Sequence, residues 1–416
     1  MRTHRIQTTR RPQRAAGFSL VELLVSMVIT VLTLVGVLTL FNSGSRISSV
    51  QTNVSNMQQS LRFAQHDLVQ TVRMAGRGGM PARDGLHPLP TGLAVEIRNG
   101  VGTTEYIKPG DASTPEVLEG TDVLTVRGAF NAPIYRIGDG AVTLNLPSDG
   151  SMIVSNKAAQ WEIPQDLQPL IDVVNDGIPE ALLVVTKQSQ YAVVELDPSA
   201  SDVTSDPDNL VIAFDITGGV RSGAYNMLSP NGSFPGSIDD DPTEGDSIAF
   251  VAILEEYRFY IRELIGDSPD TGQDELLPRL SRARVFPGSQ DVYAGDATNW
   301  NVDVAENVFD LQVSLGVDSS PIDAAVIEDT ANPSTDEWLY NDAADDDTSA
   351  TWNSGQLFYL RLTTLARSDR RDTGTYQADP LTFIEDHDYS TSYLNDQSEL
   401  KFHRRQLQTV VDIRNL

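Results

Sequence analysis

A run of 24 residues, Phe18 to Phe41 (FSLVELLVSMVITVLTLVGVLTLF), carries a single charge, Glu22, and constrains this chain more than any other feature. As a helix it is about 36 Å long, enough to cross a hydrocarbon core of roughly 30 Å. Ahead of it stands MRTHRIQTTRRPQRAAG, residues 1–17, with Arg2, Arg5, Arg10, Arg11 and Arg14 and no acid. The next basic residue is Arg46. A basic flank stays on the cytoplasmic side, so the N-terminus is expected inside and the bulk of the chain outside. A secretory signal peptide would have an apolar region of about 7–15 residues, followed by a small-residue cleavage site. Here the run is longer, and Ala15, Ala16 and Gly17 precede it. A cut there would remove the leader and keep the helix. An unprocessed signal anchor is the plainer alternative.

Charge narrows the rest. The 416 residues hold 30 Lys+Arg against 58 Asp+Glu, a net charge of -28, and the basic leader makes the remainder more acidic still. Such a body repels nucleic acid and anionic lipid. What holds it to a membrane must therefore be apolar. There is no cysteine, which excludes a disulfide framework, and a chain of this length buries a core without one.

Glu22 is the odd residue. A carboxylate in an apolar run costs several kcal/mol unless it is paired or hydrogen-bonded. It lies four residues after Phe18. If the mature chain begins at Phe18, a free α-amine stands close by. That amine can pair with Glu22 of its own chain or of a neighbour, and the second pairing would fix register between packed helices. The alternative is an interfacial carboxylate in the first helical turn, where the helix dipole favours an anion.

The stretch Gly17-Phe18-Ser-Leu-Val-Glu22-Leu-Leu-Val resembles the prepilin processing and methylation motif of type IV pilins and type II secretion pseudopilins. That resemblance implies cleavage between Gly17 and Phe18 by a prepilin peptidase, N-methylation of Phe18, and Glu22 as an assembly residue. Beyond the span, Val50, Val54, Met57, Leu61, Ala64, Leu68, Val72 and Ala75 recur at steps of three and four. This spacing predicts one face of a helix from about Ser19 to Ala75, with bends allowed at Gly36 or at Asn42–Gly44. Gly76, Gly78, Gly79 and Pro81 stop it. The segment SLRFAQHDLVQTVRMAGRGG, Ser60 to Gly79, is similar to the corresponding stretch of PilW-type minor pilins. It keeps Arg62-Phe63-Ala64 and Arg73-Met74-Ala75-Gly76, with Val72 for the usual isoleucine and Thr71 for an acid. Arg62 and Arg73 are expected over acidic loops of the body.

After Pro81 the text reads as strands and loops. Expected strands are 92–97, 104–108, 121–127, 151–155, 181–186, 190–196, 210–214, 247–254, 257–262, 308–315, 356–363 and 407–413. No long amphipathic helix is expected after Ala75. The fold class is α+β: a long N-terminal helix, transmembrane and then amphipathic, packed on a large, mostly antiparallel β region. The domains are a leader (1–17), a membrane and assembly helix (18–41), its amphipathic extension (42–76) and a β-rich body (80–416). DSIAFVAILEEYRFYIR, Asp246 to Arg262, the text Leu276 to Leu280, and FHRRQLQTVVDIRNL, Phe402 to Leu416, also resemble PilW-type pilins. Gln408 and Asp412 depart from the closing pattern. Residues 131–240 and 317–355 carry no recognisable motif and are expected to be subunit-specific insertions.

No catalytic constellation stands out. His4, His66, His87, His387 and His403 form no HExxH, and there is no Walker A loop, nucleophile elbow or dinucleotide fingerprint. His66 is expected to be exposed. Three acidic stretches offer oxygen ligands for Ca²⁺: Asp239, Asp240, Asp241, Glu244 and Asp246 in DDDPTEGD, NDAADDD (341–347), and EDHD (385–388). None has EF-hand spacing, and solvated acidic loops are the plainer reading. No other cofactor is expected. Tyr257, Phe259 and Tyr260 are expected in the core of a strand. Trp161, Trp300, Trp338 and Trp352 lie in loop-like text suited to partner contacts.

The resemblance implies a structural minor pilin in the inner membrane, with its body periplasmic and later part of an extracellular pilus. Its partners would be other minor pilins, the major pilin, the prepilin peptidase, the inner-membrane assembly machinery and a tip adhesin. Its work would be priming of pilus assembly, and adhesion or twitching motility at the tip. A type II secretion pseudopilin, and a membrane-anchored periplasmic binding module that never assembles, are the two rivals.

Overall fold

A computed structural model describes residues 19–81, 94–101, 117–137, 142–145, 149–156, 164–187, 190–206, 208–215, 248–267, 272, 274–288, 301–318, 323, 325–328, 336–340, 356–372 and 376–413. The chain divides into two compact units, Met1–Val54 and Ser55–Leu416. Helix α1, Leu20–Arg73, runs without interruption for 54 residues, through Gly36 and Gly44. Its second part is the predicted stripe. Met57, Leu61, Ala64, Leu68 and Val72 are buried, while Val50 and Val54 are partly so. Burying each of the large side chains is worth roughly 1.5–3 kcal/mol. Gln65 is buried in the same stripe. Its amide donates to the carbonyls of Leu362 (3.4 Å) and Leu407 (3.1 Å) and to Thr364 Oγ1 (3.1 Å). One polar side chain thus fixes α1 on two strands near the far end of the sequence.

Among the described residues, every strand pair of the body is antiparallel. Its first nine strands are β1 (Val95–Arg98), β2 (Val123–Gly128), β3 (Ile134–Arg136), β4 (Val142–Asn145), β5 (Asp149–Ser155), β6 (Ala181–Thr186), β7 (Tyr191–Asp202), β8 (Asn209–Asp215) and β9 (Ile248–Arg262). A small ribbon follows, β10 (Ile265–Asp267) with β11 (Asp274–Leu276). Next come β12 (Arg279–Val285) and β13 (Asn301–Glu306). The large sheet runs β1-β2-β9-β6-β7-β8-β5-β4, with β3, β12 and β13 attached along β9 and β12. The last strands are β14 (Val308–Asp318), β15 (Trp338–Leu339), β16 (Gln356–Arg367), the hairpin β17 (Phe383–Ile384) with β18 (His387–Asp388), and β19 (Arg404–Asp412). A four-stranded sheet is ordered β15-β14-β16-β19.

Strand β9 is the spine. Its first half pairs with β6 and β3, and its second half with β2 and β12. Glu255-Glu256 do not divide it into two strands, as the sequence pattern predicts, because both charges are answered. Glu255 accepts from the backbone and side chain of Asn131 (2.8 and 2.9 Å) and lies 3.3 Å from Arg284. Glu256 takes Arg127 (2.5 Å), Arg258 (2.7 Å) and the Gly288 N–H (2.8 Å). Phe259 and Tyr260 are core, as expected, while Tyr257 is half-buried under the guanidinium of Arg282.

Described residues between Ala132 and Ile253 build a hydrophobic core around Met152, Leu182, Leu196, Ile212 and Phe214. A short helix, α2 (Gln168–Asp176), closes it with Leu170 and Val174. The sequence pattern does not predict this helix, although Pro169 at its start and Gly177 at its end are ordinary helix punctuation. Of the expected strands, 104–108 lies outside the described residues.

The glycines after α1 seat its end on this sheet as well as stopping it. Gly76 N–H donates to the Arg127 carbonyl (3.0 Å), and Ala129 N–H donates to the Arg77 carbonyl (2.8 Å). Gly78 has φ +106°, and a Cβ there would lie 3.2 Å from Leu183 Cδ2. Gly78→Ala is therefore expected to destabilise the body by roughly 1–3 kcal/mol. Thermal unfolding of the full chain in detergent measures this, and an unchanged Tm would refute it.

Candidate assembly site

The first part of α1 shows what its sequence promised. Sixteen large apolar side chains between Leu20 and Phe41 are 50–77 % exposed, all around the helix. A surface of that kind has to be covered by lipid or by other apolar helices. Its hydroxyls are already answered. Ser26 donates to the Leu23 carbonyl, Thr30 to Ser26, Thr33 to Ile29 and Thr39 to Val35, at 2.8–2.9 Å. Among the described residues, α1 is the one helix long and apolar enough to cross a membrane.

Ser19 caps this helix: the Glu22 N–H donates to Ser19 Oγ at 3.1 Å. Ser19-Leu-Val-Glu22 is thus the Ser-x-x-Glu pattern of a helix start, a signal already present in the sequence. Glu22 lies in the first turn, where the exposed N–H groups favour its charge. Gly17 and Phe18 lie outside the described residues. Arg62, Phe63, His66 and Arg73 are on the exposed side of the second part of α1.

The acidic candidates separate into two groups. Asp239, Asp240, Asp241, Glu244 and Asp246 lie outside the described residues, as does 341–347. EDHD is described, and it is a tightly bonded hairpin rather than a solvated loop. Glu385 pairs with Arg361 at 2.6 Å, and it also accepts from Thr363 Oγ1 and Gln408 Nε2, both at 2.6 Å. Asp386 accepts from Asn99 (2.6 Å). Among the described residues no group of three His, Asp or Glu side chains is placed to hold a metal ion. Trp338 is likewise not a loop contact. It is buried in β15, with the Arg361 guanidinium 4.5 Å from its ring and Gly316 leaving room beneath it. Trp161, Trp300 and Trp352 lie outside the described residues.

Two known patterns match this chain. Residues 12–38 match the family model described as the prokaryotic N-terminal methylation motif. Residues 264–415, from the start of the β10 ribbon through β19, match the model described as type IV pilus-assembly protein W. The chain carries a PilW domain. No curated protein and no solved structure matches it. The two matches, together with the apolar N-terminal helix, support an assembly-associated role of the minor-pilin kind.

The PilW domain ties its own ends together. Arg367 of β16 is held between the rings of Phe309 and Phe402, at 4.2 and 4.1 Å. It bonds Glu399 and lies 3.3 Å from Glu275 of β11, which also takes Arg371 at 2.7 Å. The closing text Phe402 to Leu416 therefore contributes a core ring as well as the edge strand β19. The segments Ser60–Gly79 and Asp246–Arg262, similar in text to PilW-type pilins, lie before the matched region and include the end of α1 and the spine β9, Ile248–Arg262.

Proposed function

We propose that this chain is a minor pilin that helps prime type IV pilus assembly and belongs to the tip complex. The leader 1–17 stays cytoplasmic, prepilin peptidase cuts between Gly17 and Phe18, and the Phe18 amine is methylated. The helix then holds the β body on the periplasmic side until it is drawn into a filament with other pilins, where Glu22 sets axial register. The observation that carries this reading is a helix exposing sixteen large apolar side chains, overlapping a methylation motif and in one chain with a PilW domain. A helix so apolar is satisfied first by lipid and later by the helices of neighbouring subunits. Partners at the tip would be other minor pilins, the major pilin and an adhesin, and the outcome would be adhesion or twitching motility.

Mass spectrometry of the mature N-terminus tests this. The expected species begins at Phe18 with a methylated amine. A chain that keeps Met1 in cells with active peptidase would refute it. Crosslinking from residues 18–40 reads the next step: capture of other pilins is expected, and recovery of monomer alone would reject assembly.

A further inference from the structure

The hairpin β17–β18 and Tyr389 enter a seam between the large sheet and the four-stranded sheet. Asp122, just before β2, already stitches that seam. Its N–H donates to the Leu311 carbonyl (2.9 Å), and its carboxylate accepts from Gly100 N–H (3.0 Å) and Val313 N–H (2.7 Å). Asp310 of β14 accepts from Gln312 Nε2 (2.8 Å) and bonds the hydroxyl of Tyr389. Gln312 Nε2 also reaches the Gly120 carbonyl (3.1 Å) and lies 3.2 Å from His387 Nδ1, and the His387 ring stacks on Tyr389 at 4.2 Å.

We propose that this hairpin is a proton-held latch, seated on the two sheets while the seam keeps its protons and loosened as pH rises through neutrality.

The charged and titratable groups brought to the seam are Arg98 beside Asn99, Asp122 before β2, Asp310 of β14, Tyr340 after β15, Arg361 of β16, and Glu385, Asp386, His387, Asp388 and Tyr389 of the hairpin. Arg361 is paired with Glu385, and with Glu328 at 2.9 Å. Asp122 and Asp310 are 1 % and 0 % exposed, and the groups bonded to their carboxylates are neutral: three backbone N–H, those of Gly100, Val313 and Leu311, one amide and one phenol. A carboxyl placed so, with Asp386 near, holds its proton far above the usual range. Burial raises Asp122 well above its ordinary value and lifts Asp310 to about 7. Burial lowers His387.

The signs follow from linkage. A carboxyl raised by folding stabilises the closed seam below its free value, near 4, and that stability is lost as pH climbs through the raised value. His387 acts oppositely: its contribution is present above about 6.5 and is lost as pH falls through its lowered value. Between pH 6 and 8 the aspartates dominate. The hairpin is the part that gives, because Glu385 has φ +54° and its strained turn is held by side-chain bonds.

Hydrogen exchange of the full chain in detergent micelles, corrected for intrinsic rates, tests the latch. From pH 6 to pH 8 the protection of 384–389 is expected to fall about tenfold from Asp310 alone, while protection in the middle of β9 stays level. Asp310→Asn, which keeps an acceptor for Gln312 and cannot titrate, should diminish the fall, leaving only what the other seam groups contribute. Asp386→Asn should retain the transition and move its midpoint to lower pH. Equal protection of the wild-type hairpin at the two pH values would overturn the proposal. So would an undiminished fall in Asp310→Asn or, if that variant does not fold, an unmoved midpoint in Asp386→Asn.

Discussion

Glu22→Ala is expected to leave processing intact and to remove the chain from filaments. The peptide bond to be cut lies at Gly17-Phe18, and the capping contact of the Glu22 backbone N–H with Ser19 survives the substitution. The helix should therefore still form and still be cleaved. What is lost is the carboxylate, the one charge among residues 18–41. In an apolar bundle it would pair with a Phe18 amine, and an alanine leaves that amine buried without a counter-charge. Breaking a buried pair costs roughly 3–5 kcal/mol, on the order of 100-fold or more in an association constant. Two measurements check this: the N-terminal mass of the membrane form, expected to equal that of wild type, and the amount in sheared filaments, expected to fall about 100-fold. Glu22→Gln separates charge from shape. If the glutamine variant enters filaments as well as wild type, ion pairing is not what sets register.

The long-period features of the fold were legible because they depend on local spacing. The stripe from Met57 to Val72 repeats with the helix itself, and it is buried as its period requires. Most of the long strands announced themselves by β-branched runs between turn residues. The failures share a different cause. Glu255-Glu256 looked like a break because Arg127, about 130 residues earlier, gives no local sign that it will stand 2.5 Å from Glu256. EDHD looked like a solvated loop or a calcium site for the same reason. Its partners Asn99, Arg361 and Gln408 are brought to it by three different strands or strand ends. Trp338 read as loop because β15 is only two residues long, and it is buried because Gly316 and Arg361 make its slot. Glu22 stood out by contrast, since a lone carboxylate in an apolar run is unusual without any knowledge of what surrounds it.

The largest loss of stability is expected from Glu256→Ala. Glu256 is fully buried between two guanidiniums that are themselves 4 % exposed, and Arg127 also reaches Glu96 at 2.6 Å. Burial pushes the Glu256 carboxyl up, but Arg127 and Arg258 outweigh it and hold it below the usual carboxylate range. Removing the carboxylate leaves two charges inside the sheet without the group that balanced them, at a cost of roughly 3–5 kcal/mol. For a body of this size the Tm should fall by about 4–7 °C. Glu96→Ala is the control, because Glu96 is half-buried at the rim and its loss should cost about 1 kcal/mol or less. Equal effects of the two variants would show that Glu256 is not the centre of the network. A carboxyl lowered by folding contributes stability above its ordinary value, and this is lost as pH falls through the lowered one. Wild-type Tm should therefore decline below about pH 4.5 from this network, and the Glu256→Ala variant should decline less over the same range. The difference between the two unfolding curves isolates the acid-labile core on β9 from the seam at Asp310, which fails in the opposite direction of pH.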